Sequence, residues 1–158
     1  MNRPSIFEVA GGAPAFEALT SRFYEKVKAD PLLAPVFGSF TAEHAKNVAI
    51  WLGEVFGAPP HYSEEHGGHR TVLERHRNLS LTATHKDRWV DLMLETAREV
   101  LPNDGELQAR FADYIRWGAR IAVTASQPDF QIEHVGPVPN GDGRRRPTHN
   151  PLPRGWRT

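Results

Sequence analysis

Apolar side chains recur at helical spacing in four separate stretches of this chain, and glycine or proline follows each stretch. The first runs from Ala13 to Lys28, where Phe16, Leu19, Phe23 and Val27 form one stripe and Tyr24 lies beside it on the inward side. Thr41 is suited to cap the second, with Glu43 close behind it. That helix carries His44, Val48, Trp51, Leu52 and Val55 inward as far as Phe56, and Gly57 with Pro59 and Pro60 ends it. The third spans Thr84 to Leu101, with Trp89, Leu92, Met93, Thr96, Ala97 and Val100 on one face and Pro102 as its stop. The last, from Asp104 to about Ser126, places Leu107, Phe111, Tyr114, Ile115, Gly118, Ile121 and Ala122 on its buried side. No stretch sustains the period-two alternation of a half-buried strand. The fold class that follows is all-α.

The connections are informative too. Asp30 to Phe37 contains Asp30-Pro31 and a second proline, Pro35, and reads as a tight helical connector. His61 to Leu81 is polar and glycine-interrupted, with one short helical piece from Arg70 to Arg77. A loop of that length in a compact domain is usually functional or mobile. The helix order is therefore long, short, long, loop, long, long.

Character changes near Gln127. Beyond it Pro128, Pro137, Pro139, Pro147, Pro151 and Pro153 alternate with glycine and arginine, and few apolar residues remain. Residues 1–127 read as one domain and 128–158 as a tail, either disordered or strapped onto the body through Ile132, Val135, Val138, Leu152 and Trp156. A chain of 158 residues, 39% of them hydrophobic, is sized for one core.

Several chemistries are excluded. There is no cysteine, so thiolate metal sites, iron–sulfur clusters and thiol nucleophiles are out, and any metal must sit on histidine or carboxylate. His61, His66 and His69 share the loop, but they lack the helical zinc-ligand spacing, and Glu64 and Glu65 are adjacent. Nineteen basic and nineteen acidic side chains cancel. The run Arg144-Arg145-Arg146 has no interleaved aromatics, so no nucleic-acid partner is expected. Apolar runs are too short for a signal peptide or a membrane span, and the expectation is a cytoplasmic protein without membrane contact.

His76 is the leading candidate for metal chemistry. A histidine on a short helix after a loop can present its nitrogen to a bound metal from one face while long helices close the other. Read alone, a histidine between Arg75 and Arg77 is more often a surface residue of a basic loop. The setting decides. Gly11-Gly12, the FYEKV segment with Phe23-Tyr24, the HYSEEHGGHRTVLERH stretch with Gly67-Gly68 and His76, and Trp89 in HKDRWVDLM, thirteen positions beyond His76, occur in order. As a set they resemble the group II truncated haemoglobins, from about Ile6 to Ala125.

That resemblance implies a two-over-two helical sandwich around one haem b, with His76 as proximal iron ligand. It implies a distal pocket of Tyr24, Phe37, His44, Val48 and Trp89, in which phenol, imidazole and indole hydrogens stabilise partial negative charge on bound dioxygen. Phe37 and Trp89 would also touch the haem, and Tyr62 and Arg75 could meet its propionates. The ligands expected are dioxygen, nitric oxide and carbon monoxide. His44 departs from the family's habit, since group II members more often carry a small or non-ionisable residue there. It admits two roles, a gate and hydrogen-bond donor to the ligand or a sixth iron ligand, besides that of an edge histidine near Glu43 that never meets iron.

Three functions fit: reversible oxygen binding or transport, a haem-dependent oxidoreductase (nitric oxide dioxygenase or peroxidase-like) served by an external reductase, and a gas sensor acting through the tail. A monomer or a homodimer is compatible with each.

Overall fold

The computed structural model describes residues 3–37, 41–59, 81–126 and 143. Among them are six helices and no strand: α1 Ile6–Ala10, α2 Ala13–Ala29, α3 Ala34–Phe37, α4 Ala42–Val55, α5 Ala83–Val100 and α6 Gly105–Ala125. Four of these match the long stripes read from the sequence, and α3 is the short connector. No helix among the described residues is long and apolar enough to cross a membrane.

The short α1 has no counterpart among the apolar stripes of the sequence. Ser5 Oγ accepts the Glu8 N–H at 3.1 Å and Glu8 Oε2 accepts the Ser5 N–H at 3.0 Å, a reciprocal cap that satisfies two of the N–H groups a helix start leaves over. The Ser5-Ile6-Phe7-Glu8 spacing carries this signal, whereas a five-residue helix is too short to show periodicity. Gly11 ends it in the left-handed conformation, φ 110°, which glycine adopts without steric cost. α1 is tied to the body by the Phe7 N–H donating to the Phe56 carbonyl at 2.8 Å and by Phe7 stacking on Phe16 at 5.6 Å between ring centroids.

α5 starts one residue before the expected Thr84, because Thr82 is its cap: Thr82 Oγ1 accepts the His85 N–H, and His85 Nδ1 accepts the Thr82 N–H. At α6, Asp104 Oδ1 accepts the Leu107 N–H at 2.9 Å. Thr41 caps α4 as expected, accepting the His44 N–H at 3.2 Å.

α2 packs on α4, α5 packs on α6, and α2 crosses α5. Two helix pairs stacked in this way make the two-over-two sandwich. Phe16, Leu19, Phe23 and Val27 of α2 meet Leu52 and Val55 of α4, Met93 and Ala97 of α5, and Leu107, Phe111 and Ile115 of α6 in one buried core. Each fully buried side chain of this size contributes about 1.5–3 kcal/mol relative to exposure, which far exceeds what surface ion pairs give. Of the tail, only Gly143 is described. At φ +82° its backbone lies so close to Phe56 that a Cβ would stand 2.5 Å from the Phe56 carbonyl oxygen.

Candidate functional site

Two aromatic clusters occupy the sandwich, and in one of them a phenol and an imidazole meet within hydrogen-bond distance. At one end Phe7, Phe16, Phe56 and Phe111 stack in sequence, with Tyr114 edge-on to Phe56 at 5.7 Å and Trp51 and Trp117 beside Tyr114. Burial, and then the nearby Glu54 charge, push the Tyr114 phenol far above its ordinary pKa. This cluster is core.

At the other end a chain of edge contacts runs from α5 through α2 to α4. Trp89 meets Phe23 at 5.3 Å and 76°, Phe23 meets Tyr24 at 5.2 Å and 70°, and Tyr24 meets His44 at 5.6 Å and 75°. Edge-to-face geometry is the preferred arrangement for rings with opposite charge at face and rim. It fixes the orientation of the hydroxyl and the imidazole: Tyr24 Oη lies 3.3 Å from His44 Nε2. Phe23 and Tyr24 are consecutive on α2, about 100° apart around the axis. Phe23 therefore enters the core centre while Tyr24 leans toward α4. His44 is in the first turn of α4, held there by the Thr41 cap, and Val48 follows one turn later on the same face, partly buried against the core.

Burial pushes the Tyr24 phenol well above its ordinary pKa, so it stays protonated across the physiological range and keeps an O–H to donate. The role of Nε2 depends on the imidazole tautomer. With the hydrogen on Nδ1, Nε2 accepts the Tyr24 O–H. With the hydrogen on Nε2, it donates to the phenol oxygen, and the Tyr24 O–H turns toward a third acceptor.

Sequence reading placed five residues in this pocket. Tyr24, His44 and Trp89 are brought together directly or through Phe23, Val48 stands one turn from His44, and Phe37 is buried at the end of α3. His76, Arg75 and Tyr62 lie outside the described residues, as do Gly67 and Gly68. Among the described residues no group of three or more histidines and carboxylates could hold a metal ion.

An ion pair with a buried carboxylate borders this aromatic cluster. Asp30 at the end of α2 is buried, its Oδ1 accepts the Leu32 and Leu33 N–H groups at 3.0 Å each, and its Oδ2 accepts Arg88 Nε–H at 2.6 Å. Burial alone would raise its pKa. The Arg88 hydrogen bond, the Leu33 and Leu32 N–H groups and the Arg88 charge outweigh burial and hold the carboxyl below its ordinary value. Asp30 and Arg88 are 58 residues apart, and helical periodicity does not report partners across such a distance.

Residues 5–116 match the family of bacterial-like globins. Over 118 residues the chain is 30% identical to the group 2 truncated hemoglobin YjbI of Bacillus subtilis, covering 75% of this chain and 88% of that protein. The fold is similar to that of the group II truncated hemoglobin from Bacillus anthracis, with TM-score 0.70 and 26% identity over 78% of this chain and 93% of the other. It is also similar to a truncated oxygen-avid haemoglobin from Bacillus subtilis, with TM-score 0.67 and 31% identity over 75% of this chain and 98% of that one.

Proposed function

Because this chain belongs to the bacterial-like globins, as a group II truncated haemoglobin, we propose that it holds one haem b through His76 and binds dioxygen reversibly. The observation that carries this reading is the Tyr24–His44 pair, 3.3 Å apart at the inner end of an aromatic frame. A buried phenol set against an imidazole is a costly arrangement unless its hydrogen bonds are used. The similar haemoglobin from Bacillus subtilis is described as oxygen-avid, and avidity for oxygen is what converging donors produce.

The side chains at hand fit a flat apolar cofactor. Phe37, Val48 and Trp89 offer apolar and aromatic surface at the same end of the sandwich as the polar pair, and Val48 and Trp89 are only partly covered by the protein itself. His76 would hold the iron through an imidazole nitrogen, and Arg75 and Tyr62 would meet the propionates. When bound, the haem iron supplies the reversible coordination of a diatomic gas.

Everything else is done by the chain. Tyr24 keeps its proton and donates to the ligand atom that carries partial negative charge. His44, with hydrogen on Nε2, donates to the Tyr24 oxygen and so strengthens the Tyr24 donor through a two-link hydrogen-bond chain. Each well-placed donor contributes about 1–3 kcal/mol to retention of the ligand. Phe23 and Trp89 exclude water, which keeps these bonds strong. Nitric oxide and carbon monoxide enter the same space, and carbon monoxide, which carries less charge, gains less from the donors.

An absorption spectrum of the purified protein tests the reading. We expect a Soret band that responds to dioxygen and carbon monoxide, and its near-complete loss in His76→Ala. A His76→Ala protein with unchanged haem content and spectrum removes the assignment.

A further inference from the structure

We infer that the Asp30–Arg88 ion pair positions Trp89 and Phe37 relative to Tyr24 and His44. This rests on the pocket reading above. Asp30 does three things at one point of the chain. Its N–H donates to the Val27 carbonyl at 3.1 Å and closes α2, its Oδ1 takes the N–H groups of Leu32 and Leu33, and its carbonyl accepts from Ala34 N–H at 2.9 Å. The connector that ends at Phe37 therefore leaves α2 along a fixed path.

Capping needs only one side-chain oxygen, and an asparagine would provide it. The second oxygen is used elsewhere. Oδ2 takes Arg88 Nε–H from α5, and Arg88 is the residue immediately before Trp89. The carboxylate side chain is 4% exposed and the guanidinium side chain 48% exposed. A buried carboxylate held by two backbone N–H groups cannot shift without leaving a polar atom unmet, so it acts as a rigid post for the more exposed arginine.

The same two helices carry other ion pairs whose carboxylates, unlike Asp30, are exposed. Lys26 Nζ meets Glu95 at 3.3 Å and Glu99 at 2.8 Å, and both carboxylates are solvent-exposed. Those pairs join α2 to α5 one turn before Asp30, seven and eleven residues along α5 from Arg88. Assembly of the crossing thus has its own contacts. The Asp30–Arg88 pair fixes something more local, the rotation and height of α5 at Trp89, whose ring touches Phe23 and through it Tyr24.

The test compares Arg88→Ala, Arg88→Lys and Asp30→Asn with Glu99→Gln as a control on the same helix pair. Three quantities are read on the haem-loaded protein: the melting temperature, the carbon monoxide stretching band with its dissociation rate, and the Trp89 indole N–H resonance in the carbon monoxide form. Asp30→Asn keeps the acceptor for Leu32 and Leu33 but loses the charge. We expect Arg88→Ala and Asp30→Asn to change the dissociation rate by about three- to tenfold and to move the Trp89 resonance. Arg88→Lys, which keeps the charge without the fixed Nε–H direction, should fall between them and the native protein. Glu99→Gln should leave band, rate and resonance in place. If Arg88→Ala lowers the melting temperature while rate, band and resonance stay at native values, the pair is merely structural and the inference fails. If the native protein takes up no haem, the pocket reading fails instead, and the clamp is then judged on the Trp89 resonance of the haem-free protein, which must still move in Arg88→Ala.

Discussion

Two helices of this protein begin with the same local phrase and use its last residue differently. α4 opens on Thr41-Ala42-Glu43-His44 and α5 on Thr82-Ala83-Thr84-His85. In both, the threonine hydroxyl accepts the histidine N–H at 3.2 Å. At α5 the imidazole returns the favour: Nδ1 accepts the Thr82 N–H at 3.2 Å and sits 3.1 Å from the Thr82 hydroxyl. At α4 the imidazole reaches across to Tyr24, twenty residues earlier in the chain. His85 serves the helix on which it stands, and His44 serves a contact between helices. A side chain with a local use available that is directed to a tertiary contact is a mark of a site rather than of a scaffold.

The comparison is broken most severely by removing the partner that draws His44 away. Tyr24→Phe deletes one oxygen from a buried position and keeps the ring that packs on Phe23. Dissociation of dioxygen should accelerate by roughly 5- to 150-fold, the equivalent of about 1–3 kcal/mol for one buried donor. Stopped-flow ligand replacement reads this directly. A native rate in Tyr24→Phe would mean that the phenol does not face the ligand.

His44→Leu tests the second link and should have the smaller effect. If His44 acts through Tyr24, its loss weakens an indirect donor, and the dissociation rate should rise about two- to tenfold. If His44 instead coordinates iron at rest, the ferric spectrum of His44→Leu shifts from low-spin toward high-spin. The two outcomes separate gate from ligand. An unchanged rate and spectrum together would return His44 to the edge of the helix.

These residues differ in how plainly the sequence displays them. Helices α2, α4, α5 and α6 are legible because apolar side chains at 3.6-residue spacing report which face is buried. Periodicity says nothing of what that face meets. Phe23 reads as core from its stripe, yet its ring is also the bridge from Trp89 to Tyr24. Asp30 reads as a turn residue beside Pro31, and its reach to Arg88 depends on how α2 crosses α5, which no local pattern encodes. α1 is legible only through the capping signal of Ser5 and Glu8. A family pattern, rather than periodicity, marks Tyr24, Val48 and Trp89 as pocket residues, and His44 is a departure from that pattern.

The smallest effect is expected at the other phrase. His85→Ala removes the reciprocal half of the α5 cap and leaves the Thr82 hydroxyl on the His85 position's N–H. The bond lost is at an exposed helix end where water can replace it, so the cost should be about 0.5–1 kcal/mol in a denaturant titration. Dioxygen dissociation should stay at the native rate, because His85 touches neither Tyr24 nor Trp89 through any contact the α5 cap requires. His44→Leu and His85→Ala thus separate by ligand release, which changes in the first and stays native in the second. If His85→Ala also changed ligand release, the start of α5 would be coupled to Trp89 four residues on, and the division between a helix-serving and a site-serving histidine would not hold.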